Sequence, residues 1–160
     1  MSSKSNYEYG LASVSFIILV LSVVQYMDVP TLITKATIGD IELETEWDKN
    51  DLKHLDSQFE AAHVMSIITS VIAGLNFITE IIKLAGRNYR IEFSGVHYIL
   101  LLIVSATTTG LIADQYHSGV EEGSFFGVDV SYGAAFIVSD VSVLVFSIVG
   151  LFLCVVMKEN

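Results

Sequence analysis

Proline, cysteine and tryptophan occur once each in the 160 residues. One proline excludes a collagen-like or proline-rich chain, and one cysteine excludes an internal disulfide framework. Cations are scarce too: eight Lys and Arg stand against eighteen Asp and Glu, a formal net charge of −10. That balance argues against nucleic acid as a partner, because a nucleic-acid binder presents a basic face. Charged residues are only 16% of the chain, below the share of about 25% in a typical soluble domain. What is present in their place is apolar: 52% of residues are hydrophobic and the mean hydropathy is +0.61. The class that fits is an integral membrane protein, with the lipid bilayer as its first partner.

Four apolar runs are long enough, or nearly so, to cross a hydrocarbon layer about 30 Å thick, which takes about 20 helical residues. They are 10–27, 61–83, 95–113 and 131–157. The first run holds Ser13, Ser15, Ser22 and Gln25 but no charge, and it is followed by Tyr26-Met27-Asp28 without a small-residue cleavage signature. It is therefore expected to stay as a span rather than be removed as a signal peptide. The link between the second and third runs, 84–94 together with Lys83, carries three of the eight cations: Lys83, Arg87 and Arg90. Lys4 and Lys158 lie near the two ends. These segments fall on one side of a four-span chain, so the positive-inside rule predicts cytoplasmic termini. The segments 28–60 and 114–130 then face outward, with nine acids against three lysines in the first and four acids in the second. One tetraspan domain, 1–160, accounts for the whole chain.

The first outer loop has a pattern of its own. Thr31 to Ile38 is rich in β-branched residues, Gly39-Asp40 is a turn signal, and Ile41 to Trp47 alternates apolar and acidic. Period-two alternation on either side of a turn predicts an antiparallel hairpin. Ile41, Leu43 and Trp47 share one face, and Glu42, Glu44 and Glu46 form the opposite, solvated row. Asp51 to Glu60 reads as a short polar helix leading into the second span. The second outer loop contains three glycines and the pair Phe125-Phe126, expected to hold an edge strand against the hairpin.

Local strings carry a resemblance. Ile38-Gly39-Asp40 and the strand ending in Trp47 resemble the claudin stretch before the Gly-Leu-Trp element. Glu60-Ala61-Ala62-His63-Val64-Met65 resembles the Ala-Ala-x-x-Met start of the second claudin span. Arg90-Ile91 with Ser94-Gly95-Val96 resembles the start of the third. Tyr132-Gly133-Ala134-Ala135-Phe136 resembles the Tyr-Gly-x-x-Phe start of the fourth. In order, and over nearly the whole chain, the sequence resembles the superfamily of claudins, peripheral myelin proteins, epithelial membrane proteins and channel gamma subunits. The Gly-Leu before the tryptophan and the two outer-loop cysteines of that superfamily are absent here. The MARVEL tetraspans share the span plan and need no such disulfide. The claudin resemblance implies a left-handed bundle of four transmembrane helices with a small antiparallel extracellular β-sheet.

Several residues carry groups with a chemistry of their own. Asp140 lies about ten residues into the fourth run. A carboxylate at that depth costs about 2.5–3.5 kcal/mol unless paired or protonated. Three readings stay open: an interhelical hydrogen bond to hydroxyls of the second span (Ser66, Thr69, Ser70) or third span (Ser105, Thr107 to Thr109), a proton or cation path, or a grip on a partner's helix. Glu42, Glu44, Glu46, Asp48, Asp51 and Asp56 are either solubilising charge or a field that concentrates cations. Trp47 suits a membrane interface. Cys154 is an apolar filler or a palmitoylation site. The four histidines show no ligand spacing, and no nucleophile with a base stands out. No catalytic site, metal or cofactor is expected.

These features lead to a functional expectation. The chain is expected to be a multi-pass, plasma-membrane, claudin-like protein that self-associates in cis or trans at cell junctions, mediating adhesion, a paracellular barrier or a cation-favouring pore. The alternative is an auxiliary, gamma-type subunit of an ion channel or receptor.

Overall fold

The computed structural model describes residues 3–24, 26–27, 30–38, 41–52, 57–86, 91–126 and 128–159. In chain order the elements are α1 (Ser3–Val24), β1 (Leu32–Ile38), β2 (Ile41–Trp47), α2 (Lys49–Leu52), α3 (Ser57–Leu84), α4 (Ile91–Phe126), β3 (Val128–Tyr132), a π-helical turn (Phe136–Val141) and α5 (Ser142–Glu159). Four helical segments are long and apolar enough to cross a membrane: Asn6–Val24, Ser57–Leu84, Ser94–Ser118 and Phe136–Val156. This fits a multi-pass membrane protein.

The helices pack in a ring. Extensive contacts join α1 to α3, α3 to α4, α4 to α5 and α5 back to α1. Their inward faces combine an apolar core, with Leu11, Ile18, Leu101 and Val143, and many small polar residues: Ser15, Ser22, Ser66, Thr69, Asn76, Ser105, Thr108 and Ser147 are all buried. Their outward faces carry large apolar side chains, with Phe16, Val71, Ile78, Ile103 and Phe152 each more than half exposed. A water-soluble protein has the reverse arrangement. In lipid the outward face needs no shelter, and small inward residues let helix backbones approach closely. Many of the inward hydroxyls are satisfied by their own helix: Thr69, Ser105, Thr108 and Ser147 each donate to the carbonyl four residues earlier, at 2.6–3.0 Å.

One end of the bundle carries a three-stranded antiparallel sheet in the order β2-β1-β3. The hairpin register runs from Leu32 opposite Trp47 to Ile38 opposite Ile41, and β3 pairs with the other edge of β1 from Leu32 opposite Tyr132 to Ala36 opposite Val128. The strands lie where the alternation placed them. Gly39 and Asp40, read as the turn between them, lie outside the described residues.

One sequence expectation needs correction. The segment 114–130 is not a loop over most of its length, because α4 continues without a break to Phe126. Hydropathy ends a span where the apolar run ends, but it does not end a helix. Once a helix is nucleated each further residue adds a bond, and no proline interrupts this stretch. Thus Phe125 and Phe126 stand in the last turn of a helix, and the strand they were expected to hold is the separate segment Val128–Tyr132. Of the helix expected over 51–60, residues 51–52 lie in α2 and 57–60 in α3, which begins ahead of the apolar run, and 53–56 lie outside the described residues. Asp48 caps α2, its carboxylate accepting from the Asp51 N–H at 2.8 Å, which satisfies an otherwise orphaned donor.

Candidate functional site

The sheet is amphipathic across all three strands. Residues directly opposite one another share a face. The register therefore puts Leu32, Thr34 and Ala36 with Leu43, Thr45 and Trp47 on one side and with Val128, Val130 and Tyr132 on the other. That face is apolar or threonine throughout. The opposite face carries Lys35 between Glu44 and Asp129, with Glu42, Glu46 and Ser131 around it. Lys35 Nζ meets Glu44 Oε2 at 3.1 Å, and both side chains are nearly half exposed. The hydrogen bond that the Lys35 ammonium donates to Glu44, then the charge of Glu44, raises the ammonium above its ordinary value of 10.5, with a smaller contribution from Glu42. One cation against four acids leaves this face negative.

Where the sheet meets the bundle, the apolar face is covered. Leu32 is buried, the Trp47 indole donates to Thr34 Oγ1 at 3.0 Å, and Tyr132 stacks between Tyr116 of α4 and Phe136, with centroids 4.0 and 4.3 Å apart. Burial, then the neighbouring Tyr116, raises the Tyr132 phenol above its ordinary value of 10. The main chain is tied at the same place. Gly133 N–H donates to Thr31 O at 2.8 Å, and Ala135 N–H donates to Pro30 O at 2.9 Å. A Cβ on Gly133 would stand 2.0 Å from the Pro30 carbonyl oxygen, so only glycine fits. Farther out the cover ends. Ile41 is 63% exposed and Leu43 54%, on an edge strand exposed along nearly its whole length.

A second polar arrangement sits inside the bundle toward the end away from the sheet. Asn76 Nδ2 on α3 donates to Ser15 Oγ on α1 at 2.8 Å. Tyr98 OH on α4 donates to Leu11 O on α1 at 3.2 Å and lies 2.8 Å from Ser15 Oγ. A phenol has one proton, so Ser15 donates to Tyr98 and the bonds run in one direction. The Tyr98 ring rests against Gly150 of α5, where a Cβ would come within 2.1 Å of it. All four long helices meet at this level. The Asn76 Oδ1 atom is buried with no hydrogen-bond partner among the described residues. Nearer the helix ends, Glu80 and Lys83 pair at 3.3 Å, and Ser94 of α4 bonds both of them. Lys83 turns inward and is only 7% exposed.

The remaining sequence-selected residues are spread out. Asp140 is buried in the π-helical turn, where Ser142 Oγ bonds Ile137 O at 3.0 Å. That turn packs against α1 and α4. Thr69, Ser105 and Thr108 donate to carbonyls of their own helices, and so does Thr107, at 2.9 Å. Ser70 donates to Ser22 O at 3.0 Å, tying α3 to α1. Cys154 is buried in the apolar core with Leu11, Ile18 and Val143. Ile38 ends β1, and Asp51 is exposed on α2. Asp56 lies outside the described residues. Among the described residues no three of His, Cys, Asp and Glu converge to hold a metal ion. The Asn76–Ser15–Tyr98 chain was missed from sequence, although an asparagine within an apolar run was a visible signal. No protein-family model matches this chain, and no curated protein matches it.

Proposed function

We propose that the chain is a non-enzymatic, claudin-like tetraspan of the plasma membrane that works by association through its sheet, in the assembly or adhesion of cell junctions. In this reading the cation-bearing segments face the cytoplasm with both termini, as the positive-inside rule expects, and the sheet lies outside. The observation that carries this reading is the uncovered apolar face at Ile41 and Leu43, on a sheet tied to one end of the bundle by main-chain hydrogen bonds. Exposed apolar surface rimmed by polar groups marks interaction sites. In the same reading the acid row favours cations over anions in any paracellular path.

A second reading, an auxiliary subunit of a channel or receptor, is favoured by the charge of the opposite face. Four acids around Lys35 repel a like surface and attract a basic one.

The test is contact enrichment. Tagged protein is expressed in fibroblasts that lack tight junctions, and expressing cells are mixed with non-expressing ones. Enrichment only where two expressing cells meet, lost on Ile41→Ser with Leu43→Ser, is the expected result. Uniform staining of the surface overturns adhesion and leaves the subunit reading.

A further inference from the structure

We propose that the open edge of β2 accepts an extended segment of a partner protein, with basic and apolar residues alternating, as a fourth strand of the sheet. The proposal rests on the sheet being the associating surface, and it names the chemistry of what binds there.

Three observations carry it. The first is the main chain. Among the described residues, the order β2-β1-β3 leaves one side of β2 unpaired over its seven residues. Ile38 and Ile41 are the innermost pair of the hairpin. Hydrogen-bonded and non-hydrogen-bonded pairs alternate from there, so Ile41, Leu43, Thr45 and Trp47 turn their main-chain groups toward β1. The Thr31 N–H bonded to Trp47 O and the Thr34 hydroxyl bonded to Thr45 O agree with that phase. The N–H and C=O groups of Glu42, Glu44 and Glu46 therefore point to the open edge. Such a row is a template for another strand.

The second is the side chains. An added residue opposite Glu42, Glu44 or Glu46 lands on the acidic face, and one opposite Ile41, Leu43 or Thr45 lands on the apolar face. Lys35 already occupies Glu44 from the inner side, which leaves Glu42 and Glu46 for an incoming strand. Cross-strand pairs of opposite charge stabilise, and like charges directly opposite destabilise. The incoming strand thus alternates basic and apolar residues in step with β2.

The third excludes the simplest rival occupant. A second copy of β2 lying antiparallel on this edge puts glutamates opposite glutamates. Shifted by one residue, it puts glutamates beside Ile41 and Leu43. Both arrangements are unfavourable, so the edge resists self-pairing while staying open to a basic strand.

The experiment uses the full chain in nanodiscs of zwitterionic phosphatidylcholine and a fluorescein-labelled heptapeptide of alternating lysine and valine, read by anisotropy. Saturable binding is expected, absent with empty nanodiscs. Glu44→Pro removes one edge-facing N–H at a position where proline is tolerated. It is expected to weaken binding about tenfold or more, whereas Glu44→Gln, which keeps the N–H, changes it about threefold or less. The double variant Glu42→Lys with Glu46→Lys is expected to lose the basic peptide and to bind a glutamate–valine heptapeptide instead. This reversal stands as a test even where Glu44→Pro disturbs the sheet. Equal binding by Glu44→Pro with an intact sheet, or no charge reversal, overturns the proposal. So does a dimer, seen by mass photometry, that Glu44→Pro dissolves. Contact enrichment that persists in Glu44→Pro cells while peptide binding fails would overturn this inference and leave the adhesive reading standing.

Discussion

The ring of Tyr98 lies over the Cα of Gly150, so close that a methyl group on residue 150 would stand 2.1 Å from the ring carbon Cε1. The ring cannot swing away freely, because its hydroxyl is bonded to α1 at Ser15 and Leu11. Gly150→Ala is therefore expected to destabilise the bundle by about 1–3 kcal/mol, the usual cost of overpacking. Unfolding in detergent micelles, titrated with dodecyl sulfate, measures it. Gly150→Ala combined with Tyr98→Leu should be less destabilised than the sum of the singles, with a coupling of about 0.5 kcal/mol or more.

The one-way chain of hydrogen bonds makes two substitutions unequal. Ser15→Ala leaves the Asn76 amide without its acceptor and Tyr98 without one of its two partners. It should cost about 1–2 kcal/mol. Asn76→Leu removes an amide whose oxygen already lacks a partner among the described residues, and should cost under about 1 kcal/mol. The same micelle titration ranks them. The reverse order would mean that the chain does not run as assigned.

Gly133→Ala tests the joint between sheet and bundle. The clash is with a backbone carbonyl, that of Pro30, so no side-chain rotation relieves it. The Gly133–Thr31 and Ala135–Pro30 bonds should part together. Hydrogen exchange at β1 and β3 is expected to accelerate about tenfold or more, since these amides would open locally. Exchange in the bundle core near Tyr98 should be unchanged.

The same joint should respond to alkali. Burial and Tyr116 hold the Tyr132 phenol above 10, so in the unfolded chain this group gives up its proton at a lower pH than in the folded one. Its contribution to stability is complete below about 10 and is lost as pH rises through the folded value. Exchange in β3 should accelerate beyond its intrinsic rise with pH as Tyr132 ionises, and Tyr132→Phe should remove that extra acceleration.

How much of this was visible in the sequence depends on the distance over which each feature is encoded. The hairpin was legible because alternation from Ile41 to Trp47 and the Gly39-Asp40 signal are local. The four apolar helices were legible because a bilayer demands length and composition alone. The outward extension of α4 was not, because Asp114 to Phe126 is polar and contains two glycines, and its helical state draws on packing of Tyr116 against a tyrosine sixteen positions later. The Tyr132, Gly133 and Phe136 string was noticed only as a resemblance. Its physical content is a stack at both aromatic positions and a close approach at the glycine. The Ser15–Asn76–Tyr98–Gly150 level was missed altogether. Its members lie on four helices, and although an asparagine within an apolar run marks a polar contact, nothing local says which residues it meets. Asp140 stood out as a charge in an apolar run, yet the π-helical turn around it depends on a wider i−5 bonding pattern that composition does not encode.

Helix α4 runs 36 residues without interruption, about 54 Å at the usual rise, which exceeds the thickness of a bilayer's hydrocarbon. One tip continues, after a single residue, into β3. The other carries Ser94, locked onto Glu80 and Lys83. The helix is thus one rod that joins the Glu80–Lys83–Ser94 cluster to the sheet and runs about two turns past the apolar segment Ser94–Ser118 on the sheet side. A tilt of about 5° in a rod of this length shifts one tip by roughly 5 Å relative to the other. Because the rod is unbroken, a tilt at the sheet end is carried to the Ser94 end without loss of any hydrogen bond along the helix.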